Sequence, residues 1–175
     1  TIPNCVTYDP TFAHEVAVIM HHGMKRMVEQ QENVFYYITL LNENYPMPGL
    51  TAGTEEQIIK GMYMCKPGAV PPQGTSGASE KRVQLLGSGT ILRESFFAQE
   101  LLLADWGIAA DVWSCPSFNE LTREGQDVDR WNLLHPLETP RVPFVAQQLG
   151  SSTGPVVAST DYMKAYAEQI RPFVQ

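Results

Sequence analysis

A carboxylate set between two amides, Asn42-Glu43-Asn44, follows directly on an apolar run, VFYYITLL, at positions 34–41. A run apolar on both faces suits a strand in a sheet that helices cover on both sides, and such sheets are usually parallel. Ligands gather just beyond the carboxyl ends of parallel strands, where Glu43 falls. A carboxylate there can orient a substrate or move a proton. The plainer alternative is a loop acid that closes the turn before Tyr45-Pro46.

Three other groups carry chemistry-bearing side chains. Gly87-Ser88-Gly89 lies between a strand pattern and a helix pattern, as a phosphate cradle would. A dinucleotide fingerprint would need glycine where Leu92 stands, and no lysine completes a P-loop, so a plain strand-to-helix turn is the better reading. His14, His21 and His22 lack the HExxH spacing. A seven-residue step keeps His14 and His21 about 10 Å apart along a helix, too far for one zinc. They are expected on a polar helix face, solvated or pressed against another domain. The string His135-Pro136-Leu137-Glu138-Thr139-Pro140-Arg141 reads as a loop stiffened by proline, either a rigid connection or a contact surface for a second subunit.

These residues need elements to position them. Asp9-Pro10 is expected to cap and open a helix running from 10 to about 30, with Phe12, Val16, Ile19, Met20, Gly23 and Met27 on its apolar face. The strand at 34–41 follows, then the NENYPMP loop and a short helix from Thr54 to Tyr63. Positions 67–80, PGAVPPQGTSGASE, read as a flexible linker. Beyond it the pattern restarts: a strand at 82–86, a helix from Thr90 to Trp106 closed by Gly107, and a strand at 110–115. Ser117 and Glu120 have capping-box spacing at a further helix start. A strand at 155–158 and a last helix at 161–171 complete the series. Strands separated by helix-length segments imply a mostly parallel α/β architecture.

The chain has 175 residues, is 43% hydrophobic and 18% charged, and carries a net charge of -7 from 12 basic and 19 acidic residues. Such an acidic surface argues against nucleic acid or anionic membrane as the main partner. No apolar run reaches the roughly 18 residues that span a bilayer, and no secretory leader is seen. Cys5, Cys65 and Cys115 are odd in number and far apart, which suits buried thiols in a reducing cytoplasm.

Several long strings together resemble one family. IPNCVTYDPTFAHEVAVIMHHG, VFYYITLLNENYPMP, VQLLGSGTILRE, WNLLHPLETPRVPFVAQQL and VASTDYMKAYAEQIRPFV are similar to the homodimeric, bacterial-type pyruvate dehydrogenases, the decarboxylating first component of the pyruvate dehydrogenase complex. The similarity runs from Thr1 to Gln175 and is poor mainly in the linker. It implies a transketolase-like fold in two partial domains: residues 1–66 ending an aminopyrimidine-binding middle domain, linker 67–80, and residues 81–175 starting a carboxyl-terminal domain. It also implies thiamine diphosphate and magnesium as cofactors of the full-length enzyme, and pyruvate, the lipoyl-bearing acetyltransferase component and a second copy of the chain as partners. The family's GDG magnesium motif and its activating glutamate match nothing in these residues, so the segment alone is expected to bind neither cofactor and to be inactive. The resemblance carries Glu43 over as a substrate-channel carboxylate. Where some relatives have a histidine after the Asn-Tyr pair, this sequence has Pro46, which can neither donate nor accept a proton. The alternative reading is a non-catalytic assembly or dimerisation module of the same fold.

Overall fold

The computed structural model describes residues 2–69, 81–152 and 154–174. The element order is β1 (Cys5–Tyr8), α1 (Ala13–Met24), β2 (Phe35–Ile38), α2 (Glu55–Lys60), β3 (Tyr63–Lys66), β4 (Arg82–Gly87), α3 (Ile91–Trp106), β5 (Ala109–Ser114), α4 (Phe118–Leu134), α5 (Phe144–Leu149), β6 (Val156–Ser159) and α6 (Lys164–Glu168). β1 and β2 form a two-stranded parallel sheet, and the other four strands form a second sheet in the order β3-β5-β4-β6. The fold is mostly parallel α/β, as the alternation of elements implies.

The second sheet is buried on both faces because successive residues of its central strands feed two different cores. Val83, Leu85 and Val112 meet Phe12 and Leu92 on the α3 side. Leu86 and Trp113, which are register partners, meet Phe118, Leu121 and Phe144 on the other. β4 and β5 are accordingly buried along almost their whole length, and their one carboxylate is Asp111 on β5. It accepts from the Gly68 amide at 2.8 Å, the Gln84 amide at 2.9 Å and Arg82 at 2.6 Å. Burial works to raise its pKa, but these donors outweigh that and hold the carboxyl below its usual range.

The sequence expectations need correcting in four places. First, α1 begins at Ala13, not Pro10, with Phe12 as its N-cap, and gives way at Lys25–Glu29 to a π-helical turn. Asp9 does not cap it; Glu15 reaches back to the Thr11 and Phe12 amides instead, at 2.6 and 3.0 Å. The buried face is Phe12, Glu15, Ile19 and Gly23, while Met20 is exposed. Second, the strand expected at 34–41 is only Phe35–Ile38. Phe35 and Tyr37 are exposed, so within this chain helices cover only one face of β2.

Third, the helix expected to reach Tyr63 stops at Lys60, because Gly61 turns left-handed at φ 106° and a Cβ there would stand 2.5 Å from the Ser117 carbonyl oxygen. The chain then enters β3, which pairs antiparallel with β5 and joins residues 63–66 to the second sheet. Fourth, the last helix is a short α6 followed by a 3-10 turn at Arg171–Phe173. Two helices were larger or additional in the structure: α4 runs 17 residues and α5 follows the proline-rich loop. Within the 67–80 linker, residue 68 packs against Ala110 of β5, and residues 70–80 lie outside those described. Among the described residues no helix is long and apolar enough to cross a membrane.

Candidate functional site

The carboxyl ends of strands from both sheets converge on one rim. Asp9 follows β1, Thr39 follows β2, Ser88 and Gly89 follow β4, and Thr160 and Asp161 follow β6. Their bonds knit the two sheets together. The Gly89 amide donates to the Asp9 carbonyl at 3.1 Å, and the Thr11 hydroxyl donates to the Gly89 carbonyl at 2.7 Å. The Thr39 hydroxyl donates to Asp9 Oδ1 at 2.5 Å, and Ser88 reaches Thr160 at 3.2 Å.

This wiring decides between the two readings of Gly87-Ser88-Gly89. The Ser88 and Gly89 amides are engaged by the Ser159 and Asp9 carbonyls. Gly89 has φ 56°, and a Cβ on it would stand 2.8 Å from Asp9 Oδ2. An incoming phosphate would therefore find engaged donors and a carboxylate in the way. The turn is a structural junction, and glycine is required by both its conformation and the approach of Asp9.

Asp9 itself is almost wholly buried. Burial pushes its pKa up, the hydrogen bonds from Thr39 and Ser88 pull it down less strongly, and the nearby charge of Asp161 adds to the rise. An acid whose folded pKa is raised opposes folding once it ionises. Its cost appears as pH climbs through the unfolded pKa and is complete above the folded one. Asp9→Asn keeps an acceptor for Thr39 and removes the charge. We expect it to raise the midpoint of chemical denaturation at pH 7 and to raise it much less at pH 4; a lower midpoint at both would show that the carboxylate is needed.

Glu43 sits above this rim on the segment that leaves β2. Its carboxylate pairs with Arg93 in the first turn of α3 at 2.7 Å. The Arg93 guanidinium in turn lies 4.5 Å from the Tyr45 ring centre, and the Tyr45 hydroxyl donates to the Thr11 carbonyl. The tip is thus docked on the amino end of α3, with Glu43 more than half exposed. It does not line either described cavity. The larger, about 850 Å³, lies between β6 and α6 and is bounded by Leu86, Val157, Thr160, Tyr162, Lys164 and Arg171. The smaller lies along α4, beside Arg141. Pro46 belongs to the same tip and brings no titratable group to it.

The histidines separate. His14 turns inward to Tyr63 and Pro48, His22 meets the Tyr36 hydroxyl at 3.2 Å, and His21 is exposed. Among the described residues no three His, Cys, Asp or Glu side chains are grouped so as to hold a metal ion. Burial, with the Glu15 charge, pushes the Cys65 thiol up to about 11, and Cys115 is raised for the same reasons. All three cysteines are free.

Both ends of the loop at 135–141 are braced on α4. His135 stacks on Trp131 at 4.4 Å, Arg141 lies 3.8 Å from the Trp131 ring centre, and Asn132 holds the Arg141 backbone through both its amide and carbonyl. The residue that pattern reading missed is Glu15. Nothing in an i, i+3, i+4 apolar stripe announces a fully buried acid; its only signal was acidic character in a helix's first turn.

Two family models match the chain. Residues 1–48 match the pyruvate dehydrogenase E1 component middle domain, and residues 61–174 match the transketolase-like TK C-terminal domain. The pyruvate dehydrogenase E1 component of Cupriavidus necator is 57% identical over 173 residues, and that of Escherichia coli is 57% identical over 175. Each alignment covers 99% of this chain and 19% of the relative, so the chain spans about a fifth of their length. A transketolase from Pichia stipitis, solved with fructose-6-phosphate, covers 98% of this chain and 23% of its own at 14% identity, with a TM-score of 0.50. That likeness is one of fold. The chain belongs to the transketolase-like family, with residues 61–174 as its C-terminal domain and residues 1–48 matching the middle domain of pyruvate dehydrogenase E1 components.

Proposed function

We propose that this chain works as a segment of a thiamine-diphosphate-dependent pyruvate dehydrogenase. In that reading the parent polypeptide decarboxylates pyruvate and reductively acetylates the lipoyl group of an acetyltransferase component. The observation that carries it is 57% identity over alignments that cover 99% of this chain. The enzyme would be a cytoplasmic homodimer within a multienzyme complex, acting on the pyruvate that glycolysis delivers, with magnesium holding the diphosphate.

The residues in hand do not fit that cofactor. No metal-holding group occurs among the described residues, and the glycine-rich turn at 87–89 has its amides engaged and an acid against it. We therefore assign diphosphate and magnesium to other residues of the parent. What this chain contributes is the tip at 42–48, braced on α3, with Glu43 as a substrate-channel carboxylate. The Arg93 partner orients that carboxylate, while its exposed side remains open to a ligand.

The test uses the full-length parent. With thiamine diphosphate and magnesium added, it should release carbon dioxide from pyruvate and acetylate a lipoyl domain. Glu43→Ala should lower kcat at least about tenfold while the dimer persists. An exposed pair of this kind adds little to stability, so the loss would not be one of folding. Unchanged kinetics in the variant would remove Glu43 from the site. Absence of any pyruvate turnover in the parent would remove the enzyme reading and leave a non-catalytic assembly module.

A further inference from the structure

α3 has one side built for the core and another that is apolar without a core to meet. Leu92, Ser95 and Gln99 are buried on the side facing the second sheet, where Phe96 and Leu102 also pack. The far side of a surface helix is ordinarily polar. Here it carries Phe97, Leu101 and Ala104, which steps of four and three place in one stripe. All three are exposed, Phe97 at 57% and Leu101 at 60%. Apolar residues scattered singly on a surface need no explanation, but a stripe with an aromatic ring in it is the kind of patch that contacts use.

The charges along its two edges are unequal. On one edge Arg93 pairs with Glu43 at 2.7 Å and Glu100 with Lys66 at 3.6 Å, so each charge is answered within the chain. On the other edge lie Glu94 and Asp105, both exposed, and among the described residues no cation pairs with either. Eleven positions separate them, which is about three turns, or about 16 Å along one side of the helix.

We propose that this face of α3 docks an amphipathic helix of a partner protein. Apolar residues of that helix at i and i+4 cover Phe97 and Leu101, and its Lys or Arg side chains meet Glu94 and Asp105. The ring supplies buried area, and the two carboxylates steer the partner and fix its register.

The same charges argue against the other occupants. Two copies of α3 packed antiparallel, so that Phe97 of one covers Leu101 of the other, would set Glu94 of one against Asp105 of the other. Parallel packing would set each acid beside its own counterpart. Either way acid meets acid with no free cation nearby, which disfavours a second copy. An anionic membrane surface meets the same repulsion. The docking face is independent of the reaction assigned to the parent, because none of its residues belongs to the tip at 42–48.

The probe is a fluorescein-labelled, end-capped helical peptide of about 18 residues, with leucines at i, i+4 and i+7 and lysines on both flanks. Its control carries glutamates in place of the lysines. Fluorescence anisotropy against the full-length parent should show binding of the lysine peptide, weakened by about 0.5 M salt, and none of the glutamate peptide. Phe97→Ala should weaken the lysine peptide at least about tenfold. Glu94→Lys combined with Asp105→Lys should reverse the preference, so that the glutamate peptide becomes the tighter of the two. Should that variant fail to fold, Glu94→Gln with Asp105→Asn should weaken the lysine peptide without introducing charge. Asp129→Lys with Glu138→Lys changes the net charge as much, from exposed positions on α4 and the loop after it, and should leave binding as it was. Three results overturn the proposal. If the parent does not bind the lysine peptide, its other residues already cover α3. If the two double reversals weaken binding equally, the attraction is only that of an acidic protein for a basic peptide. If Phe97→Ala changes the parent's assembly state in sedimentation, a second copy is the occupant.

Discussion

Replacing Glu15 by alanine should lower the unfolding free energy by about 3–5 kcal/mol, the cost of removing one partner from a buried charged network. Four donors converge on this one carboxylate. The Thr11 and Phe12 amides come from the start of α1, the Tyr63 hydroxyl from β3 and the Ser114 hydroxyl from β5. Alanine would leave all four facing a cavity, two of them backbone amides with no freedom to turn elsewhere. Because α1 packs over the first sheet while β3 and β5 belong to the second, the damage should fall on the junction between the units. Glu15→Gln should cost markedly less. Its oxygen can serve the two amides, and its NH2 group can donate to the hydroxyls, which rotate. Urea unfolding of the full chain, with circular dichroism as readout, measures both. An alanine variant within about 1 kcal/mol of the unmodified chain would mean that water fills the site and that Glu15 is not the joint proposed here.

How much of this could be read beforehand varied with how locally each feature is specified. β4, α3 and β5 were legible almost to the residue, because both faces of each strand are buried within this chain and Gly107 ends the helix in a left-handed turn at φ 62°. Ser117 also capped α4 as its spacing implied, accepting from the Glu120 amide at 3.0 Å. The reciprocal half of that capping box did not form: the Glu120 carboxylate is drawn to Arg123 at 2.9 Å. That competitor is local, three residues on in the same helix, so the sequence held both candidate partners without ranking them. β3 was illegible for a tertiary reason: the pattern carried the helix on to Tyr63 and gave residues 64–66 no element, whereas the approach of the Ser117 carbonyl to Gly61 enforces the break and β5 supplies the pairing partner. Asp9-Pro10 carried every local sign of a helix start. Yet Asp9 is engaged by Thr39, thirty positions away in sequence, and Glu15 takes over the free amides of α1.

The rim was legible only as a direction. That Glu43 would lie past a strand end followed from the apolar run; that it would pair with Arg93, fifty positions on, did not. The Glu15 cluster was hidden altogether, since a single acid within an amphipathic helix looks solvated until the partners arrive from β3 and β5.

Phe118→Ala should be as damaging as the loss of Glu15 but by a different mechanism, costing about 3–5 kcal/mol through lost burial and a residual cavity. Phe118 is 0% exposed at the first position of α4. Its core includes Met62 from the approach to β3, Leu86 of β4, Trp113 of β5, Phe144 of α5 and Ala167 of α6. Tyr166 meets its ring edge-on, with centroids 5.5 Å apart and planes at 79°. Walls drawn from five elements cannot all collapse toward one missing side chain, so little of the cavity should close. α6 is the least anchored wall, being five residues long, and its Tyr166 would lose its aromatic partner. The cavity between β6 and α6 should therefore loosen first, giving α6 amides that exchange with solvent faster than those of β4 and β5. Phe97→Ala is the control: it removes the same ring from α3, where the side chain is 57% exposed, and should change stability by no more than about 0.5 kcal/mol. Equal costs for the two variants would mean that the α4 side of the sheet is not the tightly packed core its burial describes.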